Sequence, residues 1–428
     1  MAKKIVVVGG AGDMARVTVR KLLGLSDSHH MVLADLDAEK AERVAGSFGS
    51  NRVEWAGVDI FARDDLRGLI RGADMVLNAT GPLYRTGVPV LEACIAEKVH
   101  YIDYGDTYEA AEAMFERDAE AQEAGITALL CAGLTPGLLG LLGKKCMASL
   151  DEVDTLEFAF VSGSNSPTDE VEKGGTAIVD HMLFETTGTC VVLEGGERIE
   201  VPAFRKAVPL DFPEPLGRYT CYLIGHAEVS TFPRFFPGLR DVRVYGGMHP
   251  PYLVGLFQGL ADRLDAGTLT HEQARDFLSA IDAGRRPTDP ALYRAVLRGI
   301  LGQLRRGEMG VRDLLGFLHT AVTCRLPSET MGALKVSVEG TLEGRRVRAE
   351  MVHATRQGPG TNANMDDTTG TPMAAFIQLF LDGGIDRKGV VSPEACVDPD
   401  AYLAILAKLD MLGIEIMRGE PHISTIAA

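Results

Sequence analysis

The first 131 residues alternate short apolar runs with segments of helical periodicity, and this alternation restricts the possible fold more than any other feature. The apolar runs are "KKIVVV", "MVLAD", "RVEWAGVDI", "DMVLNAT", "VHYIDYG" and "ITALLCAG". Helical spacing follows in segments such as "RDDLRGLIRGA", "GVPVLEACIAEK" and "TYEAAEAMFERDAEAQEAG". Repeated β-α units of this length predict an α/β fold with a doubly wound parallel sheet of the Rossmann type. The ligand crevice of such a sheet lies beyond the carboxyl ends of its strands.

The turn after the first predicted strand carries the pattern G-x-G-x-x-G/A at Gly10, Gly12 and Ala15. These small residues allow a tight turn, let the backbone approach a pyrophosphate, and permit close packing of helix on strand. The N-terminus of the following helix then faces the phosphates with its free N–H groups. We therefore predict a dinucleotide site that includes Gly10, Ala11, Gly12, Asp13 and Met14. Glycine turns that bind nothing also follow strands, so the pattern alone leaves that alternative open.

The second predicted strand ends at Asp35. A carboxylate at this place can accept hydrogen bonds from the adenosine ribose diol, whereas it would repel a 2′-phosphate. We therefore expect NAD as the cofactor in preference to NADP, although Arg43 or Lys40 could still approach a phosphate. Leu36 and the loops after the later strands complete the predicted cofactor site, with Asp59, Ile60, Ala79, Thr80, Gly81, Pro82, Leu134 and Pro136.

Residues 125 to 143 contain no charged side chain and are about as long as a membrane-spanning helix. Pro136 and five glycines make a poor bilayer helix, and a strand cannot cross a membrane alone. We predict a buried strand, a turn, and a helix with Thr135 as its N-cap and Pro136 in its first turn. Thr371-Pro372 likewise precedes an apolar helix that ends at Gly383-Gly384. These two helices either point their N-termini at a shared cleft or are ordinary capped core helices.

Beyond residue 150 the sequence changes to an alternation of apolar and polar residues, as in "LEFAFVSG", "TCVVLEGGERIEVPAF" and "ALKVSVEGTLEGRRVRAEMVHAT". This pattern predicts a second α+β domain with a mixed or antiparallel open sheet. Residues 252 to 324 have helical periodicity, with Thr270 and Asp289 as predicted N-caps. We expect this helical insert to serve packing or oligomer contacts.

The composition excludes several classes of function. The chain has 428 residues with 59 acidic and 43 basic side chains, and its formal charge of -16 argues against binding to nucleic acid or to anionic membranes. The seven cysteines show no C-x-x-C spacing and the ten histidines no H-E-x-x-H spacing, so we expect neither disulfides nor a metal. The N-terminal apolar run is too short for an export signal, and we expect a cytoplasmic protein.

Several segments together resemble the saccharopine dehydrogenase family, especially its lysine 6-dehydrogenase branch. They are "VVVGGAGDMA", "LADLDAEKAERVA", "VHYIDYGD", "AGLTPGLLGLLG", "STFPRFFPGLRDVRVYGG" and "GTPMAAFIQLFLDGGIDRKGVVSPEACV". The similarity spans most of the chain, and the Gly133 to Gly137 turn followed by "YGG" and "GVVSPE" is more specific than the glycine fingerprint. The chain departs from the family at Val244, where relatives often carry Arg, and in its long helical insert.

The resemblance implies that residues 1–134 and about 362–428 build one nucleotide-binding domain, and that residues of about 135–361 form a substrate and dimerisation domain. It implies a homodimer that acts through imine chemistry. The implied activity is NAD-dependent oxidation of the C–N bond of a small amino acid or amine, as in a lysine 6-dehydrogenase. One alternative is a reductive condensation of the saccharopine or carboxynorspermidine type, which joins an amine to an aldehyde or 2-oxo acid. A non-catalytic dinucleotide-sensing protein is another.

Oxidation of an amine by hydride transfer requires a neutral amine and therefore a base near the operating pH. His226 is the candidate, with Glu228 on the same face of a short segment that we expect to be extended. Ser230 and Thr231 could bind a substrate carboxylate. A histidine beside a glutamate on a strand is also common as a purely structural pair.

The remaining candidates flank other predicted strands. Arg243 could bind a carboxylate with its planar guanidinium, and Tyr245 is expected in the same turn as a catalytic residue. An exposed strand arginine is the alternative for Arg243. Asp106 could bind a substrate ammonium, and Tyr84 and Arg85 are further candidates for substrate contacts.

Overall fold

The structure is a computed structural model that describes residues 3–163, 177–282, 285, 289–323, 327, 329–357, 364–411 and 413–426. The predicted boundary near residues 361 and 362 and the seventh cysteine, Cys324, lie outside these residues. The other six cysteines are free thiols. No helix in the described part of the chain is long and apolar enough to cross a membrane.

The first 130 residues form alternating strands and helices, as the sequence predicts. In chain order they are β1 (Lys3–Val8), α1 (Asp13–Leu25), β2 (His29–Asp35), α2 (Ala38–Ser47), β3 (Val53–Gly57), α3 (Arg63–Ile70), β4 (Met75–Asn78), α4 (Leu83–Glu97), β5 (His100–Asp103), α5 (Tyr108–Phe115), α6 (Asp118–Ala124) and β6 (Thr127–Leu129).

The rest of the chain contains most of the helices and the longer strands. In chain order they are α7 (Leu139–Met147), β7 (Glu152–Gly163), α8 (Ala177–Thr186), β8 (Thr189–Glu194), β9 (Glu197–Pro202), β10 (Ala207–Asp211), β11 (Arg218–Ile224), α9 (Glu228–Phe235), β12 (Asp241–His249), α10 (Tyr252–Asp265), α11 (His271–Asp282), α12 (Pro290–Arg306), α13 (Val311–Thr323), β13 (Thr330–Leu342), β14 (Arg345–Gln357), α14 (Met365–Leu381), β15 (Gly389–Val391), α15 (Pro393–Cys396), α16 (Pro399–Leu406), α17 (Ile414–Arg418) and β16 (His422–Thr425).

The first sheet is parallel, with the strand order β15-β6-β5-β4-β1-β2-β3. The order reverses beside β1, and this topological switch point is where an open α/β sheet binds its ligands. The late strand β15 pairs with β6, and α14 packs on α1 through a bond from the Thr18 hydroxyl to the Gly370 carbonyl oxygen at 2.8 Å. The end of the chain therefore contributes to the first sheet and its helical layer.

The second sheet is mixed, with the strand order β10-β11-β12-β7-β13-β14-β16 and with β8 and β9 joined to it beside β12. This arrangement confirms the predicted second α+β domain. Helices α10 to α13 form the predicted helical insert. One apolar cluster extends from the first sheet through α7 and α14 to the second sheet, with Ile5, Leu139, Phe376 and Phe158 among its buried members.

Two of the four predicted N-caps are confirmed. Asp289 accepts a hydrogen bond from the backbone N–H of Ala291 at 2.7 Å. The hydroxyl of Thr270 accepts one from the N–H of Gln273 at 3.2 Å, and the Gln273 side chain accepts one from the Thr270 N–H. This reciprocal pair is a capping box.

The prediction that helices begin at the two Thr-Pro pairs is wrong. Thr135 and Pro136 are extended, Gly137 has a φ of +109°, and α7 begins only at Leu139. At the second pair, Asn364 caps α14 by accepting from the Asp367 N–H, so Pro372 lies inside that helix. The predicted stop is confirmed, because Gly383 is left-handed and the Gly384 N–H returns to the Leu379 carbonyl.

Gly137 allows a stability test of the turn before α7. A Cβ atom at this left-handed residue would lie 3.0 Å from the carbonyl oxygen of Cys131. We expect Gly137→Ala to lower the free energy of unfolding by about 1–3 kcal/mol, measured by urea denaturation. The control is Gly24→Ala in α1, where a Cβ atom meets open space and should stabilise by about 0.5–1 kcal/mol. Equal stabilities of the two variants would contradict the described turn.

Candidate active site

A cleft lies between the carboxyl edge of the first sheet and the second sheet. Met14, Tyr104 and the Gly133–Thr135 turn line it from the first sheet, and Phe160 and Gln357 line it from the second. About 1090 Å³ of the cleft is not filled by protein atoms, a volume that includes the solvent at its opening.

A buried imidazole-carboxylate pair lies at one wall of the cleft. Nδ1 of His226 is 2.5 Å from Oε2 of Glu228, and these side chains are 2% and 0% exposed. The other carboxylate oxygen of Glu228 accepts a hydrogen bond from the Thr135 hydroxyl at 3.2 Å. The expected extended segment is instead a loop that leads into α9, whose first residue is Glu228. Because Nδ1 is engaged, Nε2 is the ring nitrogen left for a bound molecule.

The charge of Glu228 controls the protonation of His226. Burial alone would lower the pKa of His226, but the adjacent Glu228 and the more distant Glu185 and Asp106 raise it to about 9. The imidazole therefore carries a proton at neutral pH. It is an acid in this state, and it becomes a base only after it has given up that proton.

A second set of charged groups faces the same cleft. His181 Nε2 lies 3.1 Å from Oδ2 of Asp106 and 3.4 Å from Oε2 of Glu185. Burial would lower the pKa of His181 and raise that of Asp106, but their mutual attraction outweighs burial and shifts both the opposite way. Asp106 is thus held ionised and His181 protonated. The Asp106 side chain remains 31% exposed to the cleft.

His181 and Glu185 were not predicted from the sequence. They lie four residues apart on α8, a spacing that places both side chains on one face of a helix. The spacing of histidine and glutamate in "HMLFE" is the sequence feature from which these two residues could have been predicted. It gains a functional meaning only because the fold brings α8 to the loop that contains Asp106.

A metal ion is the other occupant that these groups could accept. Ligand atoms of Asp106, Glu185 and His226 all lie within 4.8 Å of one another. The same carboxylates already contact His181, however, and a histidine cation is a sufficient partner for them. The expected absence of a metal stays a prediction.

The structure does not bring Arg243 and Tyr245 to the cleft. Both lie within strand β12, not in a turn, and their side chains share one face because strand residues alternate. Arg243 lies 2.8 Å from Asp241 and 3.4 Å from Glu194, and the Tyr245 hydroxyl donates to Glu157 at 3.1 Å. Tyr245 packs in the apolar cluster on the face of the sheet opposite Phe160.

The other predicted substrate residues also lie outside the cleft lining. The Ser230 hydroxyl donates to Glu112, and Thr231 is fully buried in α9. The ring of Tyr84 stacks on Phe184 with centroids 4.5 Å apart, and Arg85 is exposed on α4. Of the predicted catalytic and substrate residues, the structure brings together Asp106, His226 and Glu228.

The predicted cofactor residues gather at the carboxyl edge of the first sheet. A Cβ atom on Gly10 would lie 2.8 Å from Cα of Leu33, so only glycine permits this approach of turn and strand. Gly12 precedes α1 without a side-chain cap, which leaves helix N–H groups for an anion. Oδ2 of Asp35 accepts from the Ala11 N–H at 3.3 Å and thereby fixes the turn. These features fit a dinucleotide.

The remaining cofactor candidates extend this edge. Leu36 is 77% exposed after β2, and Asp59 with Ile60 follows β3, where Asp59 accepts from the Phe61 N–H. Thr80 follows β4 and bonds to the Asn78 side chain through both its N–H and its hydroxyl. The other members of the set are Asp13, Met14, Ala79, Gly81, Pro82, Leu134 and Pro136, of which Met14 and Leu134 line the cleft.

Family comparisons agree with this architecture. The family model described as the saccharopine dehydrogenase NADP binding domain matches residues 5–129, and the saccharopine dehydrogenase C-terminal domain matches residues 133–414. The chain belongs to the saccharopine dehydrogenase family. The resemblance inferred from the sequence is thus confirmed, and the first domain is a dinucleotide-binding domain.

Individual proteins that are similar to this chain carry several different enzyme names. A carboxynorspermidine synthase of Vibrio cholerae is 27% identical over 57% of this chain and 63% of its own length, so this chain spans less than two thirds of it. A carboxyaminopropylagmatine dehydrogenase of Synechocystis is 23% identical over 98% of both chains. Saccharopine dehydrogenase (L-Glu forming) of Saccharomyces cerevisiae has the same fold, with a TM-score of 0.64, 17% identity and full coverage of both chains.

The His226–Glu228 pair predicts a pH dependence of stability. The pKa of His226 is raised above its usual 6.5, so its stabilising effect is complete below about pH 6.5 and is lost as the pH rises through about 9. We expect Glu228→Gln to be less stable than the parent by roughly 1–3 kcal/mol at pH 6.5, with the difference shrinking toward pH 9.5. Denaturant titrations across this range measure it. Glu116→Gln, with a side chain 75% exposed, is the control and should show no such trend. A difference that is constant with pH would refute the assigned ion pair.

Proposed function

We propose that the protein is a dinucleotide-dependent oxidoreductase that forms or cleaves a C–N bond of a basic amine. The observation that carries this proposal is the cleft itself, where Asp106, Glu185 and His226, the last held by the buried Glu228, face the space beside the dinucleotide edge. The described cleft lining contains no lysine or arginine. A bound amine would supply the cation that these carboxylates attract.

The charge balance of the cleft supports a cationic substrate. Three carboxylates, those of Asp106, Glu185 and Glu228, face two imidazoles, those of His181 and His226. With all five groups ionised the cluster keeps one net negative charge. Arginine is the side chain best suited to clamp a substrate carboxylate, and its absence from the described lining argues against a substrate with several carboxylates.

The protonated state of His226 favours the reductive condensation. An amine that adds to a carbonyl compound gives a carbinolamine, whose hydroxyl must take a proton before it leaves as water. His226 carries that proton at neutral pH, and Glu228 holds the ring so that Nε2 can donate it. Asp106 and Glu185 then stabilise the resulting iminium cation. The dinucleotide, when bound, supplies the hydride that completes the reduction.

The names of the similar proteins point the same way. A carboxynorspermidine synthase and a carboxyaminopropylagmatine dehydrogenase are both named for amine-containing compounds. Oxidative deamination of a lysine-like substrate is the second candidate, because the same groups would act in reverse once His226 is neutral. A sensing protein without catalysis is the least supported, since it would not need a proton donor in the cleft.

The proposed activity can be tested with purified protein. Lysine or diamines with NAD or NADP would be assayed for oxidation, and the same amines with an aldehyde or 2-oxo acid and NADH or NADPH for condensation, both at the nicotinamide absorbance. We expect condensation, and we expect Asp106→Asn and His226→Gln to lower kcat/KM by about 10²–10⁴. Tyr245→Phe on the opposite sheet face is the control and should be unchanged. Turnover by His226→Gln at the parent rate would contradict its role as proton donor. Silence of the parent with tight NADH binding would favour a sensor.

We propose NAD as the cofactor, on the basis of the carboxylate at the end of β2. Asp35 lies where an adenosine ribose would be bound, and its charge disfavours a 2′-phosphate. The matched family model is described as an NADP binding domain. Arg43 lies 3.9 Å from Glu39 and is half exposed.

The cofactor proposal is tested by Asp35→Ala. We expect the ratio of kcat/KM for the NAD couple to that for the NADP couple to fall about tenfold or more, because a hydrogen-bonded carboxylate is lost and a repulsive charge is removed. Initial rates with all four nucleotides measure it. Asp64→Ala, an exposed residue of α3, is the control. An unchanged ratio in Asp35→Ala would show that the carboxylate does not select the cofactor.

A further inference from the structure

A buried polar cluster adjoins the His226–Glu228 pair without lining the cleft. It consists of Thr231 on α9 and of Ser392 and Glu394 where β15 leads into α15, and these side chains are 0%, 0% and 1% exposed. None of the three is among the residues that line the cleft. The proposed reaction makes no use of them, although Ser392 and Glu394 belong to the specific segment "GVVSPE" of the sequence.

The cluster brings a second buried carboxyl group to the neighbourhood of Glu228. Thr231 lies one helical turn after Glu228, so the two side chains share a face of α9. Burial raises the pKa of Glu394, and the adjacent hydroxyls of Thr231 and Ser392 oppose that rise. A Cβ atom on Gly140 would lie 3.5 Å from Oε2 of Glu394, so this carboxyl group packs on the first turn of α7. Thr231 is therefore placed next to both carboxyl groups.

Three atoms of the cluster have no hydrogen-bond partner among the described residues. They are Oε1 of Glu394, Oγ1 of Thr231 and Oγ of Ser392, and all three are buried. Unpartnered polar atoms cost free energy when they are buried. Because these atoms lie together, a hydroxyl that rotates can bond to the neighbouring carboxyl group, and Thr231 can also bond to Glu228.

Glu394 has no counter-ion among the described residues. Lys144 on α7 donates to the carbonyl oxygen of Val397 at 2.7 Å. Arg387, which precedes β15, donates to the carbonyl oxygen of Ala395 at 3.1 Å. The two nearby cations thus bind the backbone around α15 and do not neutralise the carboxyl group.

Glu228 and Glu394 would repel each other if both were ionised. Glu228 has the imidazole of His226 at 2.5 Å, so Glu228 carries the charge and Glu394 keeps its proton. The neighbouring thiols leave this balance unchanged, because burial raises the pKa of Cys131 and also raises that of Cys396, to about 12. Glu394 is thus an O–H donor and not a second anion.

We propose that Glu394, acting through the Thr231 hydroxyl, is a positioning residue for Glu228. Its carboxylic O–H group donates to Thr231, and Thr231 donates to Glu228 once the adjacent imidazole has given up its proton. This proposal rests on the proposed function, in which His226 protonates the leaving hydroxyl of a carbinolamine. That step removes the cation beside Glu228 and leaves a buried anion, which the added hydrogen bond stabilises. Both oxygens of Glu228 have a lone pair free for it, and Glu394 keeps its own proton throughout.

Four substitutions separate charge, hydrogen bonding and shape. Glu394→Gln keeps a neutral N–H donor and Glu394→Leu removes the donor, whereas Thr231→Ser keeps the hydroxyl and Thr231→Val removes it. We expect the two substitutions that remove a hydrogen-bonding group to lower kcat for condensation about threefold to tenfold, with KM unchanged. They should also raise the pKa of His226 by roughly half a unit to one unit, because Glu228 becomes more basic. Glu394→Gln and Thr231→Ser should match the parent in both quantities.

The pKa of His226 is measured by NMR titration of protein with isotope-labelled histidine, with the signal assigned from His226→Gln. The alkaline limb of the pH dependence of kcat/KM gives a second measurement. Condensation needs His226 protonated, so this limb falls through about pH 9 in the parent and moves to higher pH in Glu394→Leu and Thr231→Val. The matched control is Ser279→Ala in α11, whose hydroxyl is likewise buried without a described partner, and it should change neither quantity.

Each outcome decides the role of Glu394. A changed pKa of His226 in Glu394→Gln overturns the proposal, because the neutral donor would then not be sufficient. A loss of stability in Glu394→Leu and Thr231→Val, measured by urea denaturation, with unchanged kcat and unchanged pKa of His226 shows a purely structural role and overturns it as well. If Glu394→Leu does not fold, the two Thr231 variants decide.

Failure of the proposed function is distinguishable from failure of this proposal. If the parent turns over no amine, the proposed function fails, but the NMR titration does not depend on turnover. A pKa of His226 that is higher in Thr231→Val than in Thr231→Ser then still supports the coupling of the cluster to the pair. Equal pKa values in these two variants overturn it.

Discussion

The buried carboxylate of Asp103 holds together the sheet edge on which the candidate site is built. Its Oδ1 accepts hydrogen bonds from the backbone N–H groups of Gly105 and Cys131, both at 2.8 Å, and its Oδ2 accepts one from the Tyr101 hydroxyl at 2.8 Å. The Tyr101 hydroxyl in turn accepts one from Asn78 at 3.1 Å. Burial raises the pKa of Asp103 to about 6, and the donated bonds oppose a further rise. One side chain thus joins the ends of β4, β5 and the segment after β6.

The position of the reactive groups follows from this anchor. The Gly105 bond fixes the residue before Asp106, and the Cys131 bond fixes the start of the turn that contains Thr135. The second domain attaches at these two places. The Ala227 N–H donates to the Asp106 carbonyl oxygen at 2.7 Å, and the Thr135 hydroxyl donates to Glu228 at 3.2 Å. His226 lies between these contacts, so the sheet edge and the second domain position it together.

The sequence predicted the elements whose signals are local. Fully buried parallel strands have continuous apolar runs, and the turn at Gly10 needs residues without bulk, so the first sheet and its cofactor edge could be derived. The helix N-caps were predicted less consistently. Thr135 and Thr270 each precede a segment of helical periodicity, but the residues that follow them differ. Gly137 interrupts helical geometry after Thr135, whereas nothing interrupts the helix after Thr270. At Thr371 the helix had already begun at an upstream asparagine cap.

The candidate active site could be predicted from local sequence signals even less completely than the helix caps. Asp106 was found because it follows a recognisable strand, and His226 because oxidation of an amine requires a base. Which face of β12 meets the cleft, however, depends on how that strand pairs with β7, and Tyr245 lies on the other face. His181 and Glu185 could not be assigned from α8 alone, since a helix with a histidine and a glutamate four residues apart is common. Their chemistry arises from proximity to Asp106, which is 75 residues before His181 in the chain. The charge balance of the cleft is therefore a property of the tertiary fold, and it is this balance, more than any single motif, that supports the proposal of an amine ligand.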